Sequence, residues 1–263
     1  MGRFEQLTDR IYRLKVPFEN IYTAVFLISH RSGYALVDCA TTESDSALIL
    51  DAIDALGIKR SEITHILVTH AHGDHTGGLR YILPHLSDAV VCAGGNHIKE
   101  RLDPPHFTRV TDGQEIADGI RAVLLPGHSA DTVGYLDSGS MTLISGDAVQ
   151  LCGVGRYGCG LGDFDAYFAT LDKLGSMSLE RLIASHDYYP HGAVAEGTEI
   201  DRYISDSRAY AEFIQRVCEK CANDGSTDCN YVCDIIKLKN AGSDASIPPL
   251  QYSTVANCLK KFV

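Results

Sequence analysis

Between Thr69 and Gly78 the chain reads Thr-His-Ala-His-Gly-Asp-His-Thr-Gly-Gly, which puts His70, His72, Asp74 and His75 within six residues. Imidazole nitrogens and a carboxylate crowded beside glycines make a metal-ligand set, and this donor mixture suits zinc, iron or manganese. The β-branched run Ile63–Thr69 leads straight into the cluster and reads as a buried strand. Side chains alternate with period two at a strand end, so His70 and His72 point to one side. Asp74 and His75 then reach a second point from the following turn, a spacing that a helix would not present on one face. A solvated histidine-rich loop is the competing reading. Four ligand-type residues at fixed offsets behind a strand argue against it.

The surrounding pattern is strands first and helices later. Ile11–Val16, Tyr22–Ser29 and Tyr34–Asp38 read as successive strands, followed by a helix over Ser44–Leu56 that Gly57 closes. Further strands are expected at Ala89–Cys92, Ile120–Leu125, Thr132–Leu136 and Met141–Ser145. Helical spacing takes over at Asp165–Leu174 and from Glu199 to about Cys221, with shorter helices near Tyr231–Lys237 and after Ser253. This is an α/β or α+β layout, with a catalytic domain over residues 1–198 and a helical extension over 199–263.

Composition narrows the function. With 263 residues, 45% hydrophobic and 22% charged, the chain can bury a substantial core. A net charge of −11 without a basic stripe argues against gripping nucleic acid. No apolar run approaches the roughly 20 residues of a membrane span, and Met1–Asp9 lacks the apolar core of a secretion signal, so a cytoplasmic protein is expected. Nine cysteines, an odd count, then read as reduced thiols or metal ligands rather than a disulfide framework. Cys218 and Cys221 share one helix face, as do Cys229 and Cys233, so the four could converge on a structural zinc or an iron–sulfur cluster. Buried, reduced thiols are the competing reading.

Four more segments complete a pattern. Asp38 ends Leu36-Val37-Asp38; Pro126-Gly127-His128-Ser129, Ser145-Gly146-Asp147 and Ser185-His186-Asp187 follow in order. With His-X-His-X-Asp-His, these segments resemble the metallo-β-lactamase superfamily over roughly residues 10 to 195. The resemblance implies a four-layer αββα sandwich with a helical C-terminal extension packing over the active site. It implies one metal on His70, His72 and His128, a second on Asp74, His75 and His186, and Asp147 shared between them. Two divalent ions, zinc first and iron or manganese next, would acidify a shared water. Asp74 would orient that water and shuttle its proton, while Asp38 would hydrogen-bond a ligand loop. Tyr188 or Tyr189, just after a ligand, could line the pocket and donate to an oxyanion.

The segment from Gly146 to Arg156 resembles the glyoxalase II and persulfide dioxygenase branch, whose basic residue at this place helps glyoxalase II bind glutathione. Arg156 is therefore a candidate for meeting a substrate carboxylate or phosphate; a solvated loop arginine is the alternative. The C-terminal basic pattern that glyoxalase II uses for glutathione is not recognisable. A bridging Asp147 argues against true β-lactamases, and His72 with an intact Asp74-His75 argues against the flavodiiron branch. The expected function is a binuclear hydrolase of a small ester-like molecule, thioester ahead of lactone. The alternatives are a mononuclear iron persulfide dioxygenase using His70, His128 and Asp147, or a metabolite-binding regulator. A small-molecule substrate and a homodimer are expected, without nucleic acid or membrane.

Overall fold

Each of two β-sheets is built from one continuous stretch of chain. The computed structural model describes residues 2–154, 157–239 and 249–262. The first sheet holds β1 (Glu5–Gln6), β2 (Ile11–Phe18), β3 (Ile21–His30), β4 (Gly33–Val37), β5 (Ile63–Leu67), β6 (Val90–Ala93) and β7 (Phe107–Arg109) in sequence order. The second holds β8 (Glu115–Ala117), β9 (Ile120–Leu124), β10 (Val133–Asp137), β11 (Thr142–Gly146), β12 (Arg181–Tyr188) and β13 (Gly192–Glu196), again in order. Hairpin-linked strands pair antiparallel, whereas β4–β5 and β11–β12 pair parallel across helical crossovers.

Period-two alternation sorts the side chains into layers. On β3, Ala24, Phe26 and Ile28 face the second sheet, where they meet Ala122, Tyr135, Ile144 and Ile183. Val25 and Leu27 point the other way and pack with Ile49 and Ile53 of α1 (Glu43–Ala55) and with Leu79 and Ile82 of α3 (Leu79–Ile82), which follows the one-turn α2 (Gly73–Thr76). Past the short α4 (His97–Leu102), the outer face of the second sheet buries Leu143 and Leu182 against Phe164 and Leu171 of α5 (Phe164–Gly175). Three apolar cores between four layers make the expected αββα sandwich. The C-terminal helices α6 (Thr198–Asn223), α7 (Cys229–Lys239) and α8 (Pro249–Leu259) contribute Tyr203, Ile214, Val232 and Val255 to the same core as α5.

Several sequence expectations need correction. The strand entering the histidine cluster stops at Leu67, so His70 and His72 stand on irregular backbone. Asp74 and His75 belong to α2 rather than to a simple turn; one turn is too short to show helical periodicity. The short strands β1, β7, β8 and β13 and the short helix α4 had no sequence counterpart. The four cysteines do not converge: among the described residues no group of three potential ligand atoms includes a sulfur. Cys218 is instead buried in the same core as Cys258 of α8, Cys233 donates to the Gln251 carbonyl, and Cys229 sits half-exposed.

The turn from α2 into α3 lies tight against the end of β4. A Cβ on Gly78 would stand 2.1 Å from the Cys39 carbonyl oxygen, a backbone atom that cannot step aside. Gly78→Ala therefore overpacks the seam and should cost roughly 2–3 kcal/mol, lowering Tm by about 5–10 °C. Gly175→Ala, with nothing within 4 Å of its Cβ, should leave Tm unchanged or raise it in the same thermal melt.

Candidate metal centre

Seven donors from both sheets meet at one end of the sandwich. The segment after β5 supplies His70 and His72, α2 supplies Asp74 and His75, and the loop after β9 supplies His128. Asp147 directly follows β11 and His186 lies in β12. Gly146 takes φ +58 and has no space for a Cβ against Thr69, so the chain turns sharply there.

The donor atoms form two triads. His70 Nε2 and His128 Nε2 each stand 3.0 Å from His72 Nδ1 and 3.2 Å from one another. Asp74 Oδ2 stands 3.4 Å from His75 Nε2 and 3.3 Å from His186 Nε2. Asp147 Oδ2 lies between the triads, 3.5 and 3.4 Å from His75 and His186 and 4.0 and 3.8 Å from His70 and His128. Tetrahedral ligands bound to zinc at 2.0–2.1 Å stand roughly 3.3 Å apart, so this spacing already fits metal. Among the described residues seven buried side-chain atoms lack hydrogen-bond partners, and two of them, His75 Nε2 and Asp147 Oδ1, belong to the cluster.

The ring nitrogens facing away are fixed by acceptors. His128 Nδ1–H donates to the Gly160 carbonyl at 2.6 Å, and His186 Nδ1–H to the Tyr22 carbonyl at 2.6 Å. A carbonyl can only accept, so each ring keeps a proton on Nδ1 and turns Nε2 into the cluster. His75 Nδ1 donates to Asp38 Oδ2 at 2.8 Å, while Thr69 reaches the same carboxylate through its backbone N–H at 2.8 Å and its hydroxyl at 2.7 Å. Asp38 is wholly buried and adopts φ +60, a left-handed backbone that non-glycine residues rarely take.

Buried charge is balanced within the cluster. Burial opposes ionisation of Asp74 and Asp147, yet the His75 and His186 imidazoles hold both carboxyls well below the usual range. Burial likewise opposes a charge on His186, but Asp147 and Asp74 push it up to about 10; His75 is raised in the same way by Asp74, Asp147 and Asp38. His70 and His128 move down, chiefly through burial, and stay neutral donors. Cations binding here would displace the protons on His75 and His186. His72 is exposed and Asp74 half-buried, so the cluster opens to solvent along these two. A cleft of about 550 Å³ adjoins His72, lined also by His97, Arg101, Ser129 and Asp131. A larger cavity of about 720 Å³ lies away from the cluster, between Val217 of α6 and Tyr231 of α7.

The remaining sequence candidates separate. Tyr188 is buried and accepts from Gln150 Nε2 at 3.1 Å with its ring edge-on to His186, so it supports the cluster from behind rather than lining a pocket. Tyr189 is 66% exposed, and Arg156 lies outside the described residues. Gln150 is the residue that sequence reading missed. Besides Tyr188, it donates to the Asp147 carbonyl at 2.8 Å and accepts from Gly160 N–H at 2.9 Å. Its place three residues after Asp147 was the only sequence signal.

The Asp38 contacts carry a prediction. Asp38→Ala leaves Thr69 N–H and His75 Nδ1 without their acceptor, so affinity for a metal held by His75 should fall by about 10–100-fold. Zinc competition against a chromophoric chelator reads this directly. Unchanged affinity would mean that α2 positions His75 without help.

Comparison with known proteins agrees with this geometry. The family model described as the metallo-beta-lactamase superfamily matches residues 20–186. An atrochrysone carboxyl ACP thioesterase of Pseudocercospora fijiensis is 28% identical over 83% of this chain and 66% of its own length. A hydroxyacylglutathione hydrolase of Methylobacillus flagellatus is 31% identical over 66% of this chain and 64% of its own. The chain thus spans just under two thirds of these relatives. Among solved structures, a metallo-beta-lactamase family protein of Thermus thermophilus superposes with a TM-score of 0.73 at 15% identity, covering 97% of this chain and 94% of the other. The ordered motifs, the αββα layers and the matched family model lead to one assignment: this chain belongs to the metallo-beta-lactamase superfamily.

Proposed function

We propose that the protein is a binuclear metal-dependent hydrolase of a small ester-like substrate, a thioester ahead of a lactone. The position of Asp147 carries the reading: one carboxylate oxygen lies 3.4–4.0 Å from imidazole nitrogens of both triads, where a shared anionic ligand belongs. Thioesterase and hydroxyacylglutathione hydrolase names among the relatives support the ester class. Two divalent ions, zinc foremost and iron or manganese next, would supply a Lewis acid for the carbonyl and a water acidified to near neutral pH.

The residues of the chain do the rest. His70, His72 and His128 hold one position, and Asp74, His75 and His186 the other. Asp74 has 21% of its side chain exposed, so its free oxygen can take a proton from water and return it to the leaving group. The wall behind the cluster, formed by Tyr188 and Gln150, is buried and keeps bulk water to the His72 side. Substrate then enters from the cleft at His72, whose volume suits a small acyl group.

Asp74→Ala should lower kcat by about 10²-fold or more on a panel of acyl thioesters and lactones. It should also weaken one of two metal equivalents measured on freshly purified protein. Near-normal turnover in the variant would move proton transfer to another group. A single iron with oxygen consumption on a persulfide would replace hydrolysis by dioxygenation.

A further inference from the structure

The loop that fixes His128 is itself held by the last helix. Thr254 of α8 is wholly buried, and its hydroxyl bridges the two residues flanking Gly160. It accepts from Leu161 N–H at 2.8 Å and donates to the Cys159 carbonyl at 2.6 Å. One turn later, Asn257 Nδ2 donates to the Leu161 carbonyl at 3.2 Å. Gly160 between them offers both backbone groups to the cluster: its carbonyl takes the His128 Nδ1 proton at 2.6 Å, and its N–H binds Gln150 Oε1 at 2.9 Å. Gln150 Nε2 also stands 3.2 Å from His128 Nδ1, but its two amide protons go to the Asp147 carbonyl and the Tyr188 hydroxyl, and the Gly160 carbonyl at 2.6 Å, which can only accept, sets the His128 tautomer.

We infer that Thr254 is a positioning residue for the His70–His72–His128 metal position, which makes the C-terminal helix part of the metal centre. The inference rests on the two-metal reading above and adds to it the element that holds one position ready. Removing the Thr254 hydroxyl strips the Leu161 N–H and the Cys159 carbonyl of a buried partner. The loop must shift to regain one. Gly160 then moves off His128, and the ring loses the contact that aims Nε2. The Asp74–His75–His186 position has its own supports, Asp38 and the Tyr22 carbonyl, and stays as it is.

The test compares Thr254→Val, which keeps shape but removes the hydroxyl, with Thr254→Ser, which keeps it. Zinc is titrated into metal-free protein against a competing chelator, and cobalt(II) absorption reports coordination geometry. His128→Ala identifies which equivalent belongs to that position. Thr254→Val should weaken this equivalent by about tenfold or more, on the scale of supporting contacts to metal-bound histidines. The other equivalent should stay within twofold, and Thr254→Ser should restore wild-type behaviour. If wild type binds two equivalents and Thr254→Val leaves both within twofold, or weakens both equally, the inference is overturned while the two-metal reading stands. If wild type binds none of zinc, cobalt, iron and manganese, both are overturned. Should Thr254→Val fold poorly, Asn257→Ala provides the same comparison from the edge of the contact, with selective weakening of the same equivalent expected.

Discussion

Carboxylates do not stay ionised inside an apolar sandwich without partners, and this chain buries Asp38, Asp147 and most of Asp74 at one end of its two sheets. Much of the surrounding structure answers that constraint. Three imidazoles lie within 4 Å of the Asp147 oxygen before His70 completes the ring, and Asp38 accepts three hydrogen bonds. An uncompensated buried carboxylate would cost several kcal/mol, which is a large share of the stability of a domain. The same arrangement that neutralises these charges turns ring nitrogens inward, where a cation would take the place of the protons on His75 and His186.

The supporting shell is uneven. Around His75 and His186 the supports come from the first sheet: the Asp38 carboxylate at the end of β4 and the Tyr22 carbonyl of β3. Around His128 they come from the loop after Asp147 and, through it, from helices added late in the chain. Ser207 of α6 also takes part, accepting from Leu151 N–H at 3.2 Å. One half of the centre is therefore built into a sheet, and the other rests on a loop clamped by helices.

What the sequence made legible follows the same division. His70, His72, Asp74 and His75 are adjacent in the chain and of rare types for a buried turn, so local reading found them. His128, Asp147 and His186 were found because each sits in a short motif at a strand end. The αββα layering was legible only through the family resemblance that the ordered motifs carry, because a strand such as β3 is apolar on both faces and offers no alternation to read. Gln150, Thr254 and the Tyr22 carbonyl were not readable. Glutamine and threonine are ordinary residue types, a backbone carbonyl leaves no trace in sequence, and Thr254 acts on Leu161 across 93 residues. For the cysteines, the reading as buried, reduced thiols fits Cys218, Cys221 and Cys233, whereas shared helix faces along α6 and α7 did not bring the four sulfurs together.

The sheets are contiguous in sequence, residues 5–109 in one and 115–196 in the other, and the seven cluster residues divide four and three between the chain segments that build them. Neither half owns a complete set of donors. An ion that bridges them binds only the docked pair, so by mass action its free concentration sets how firmly the halves hold together. At a hundred times its dissociation constant, such an ion adds about 2.7 kcal/mol to the docked state. Cohesion of the sandwich would thereby become a function of metal supply, added to the apolar seam of Phe26, Tyr135 and Ile144 and to the hydrogen bonds that cross it, from Tyr135 to the Val68 carbonyl and from His186 to the Tyr22 carbonyl.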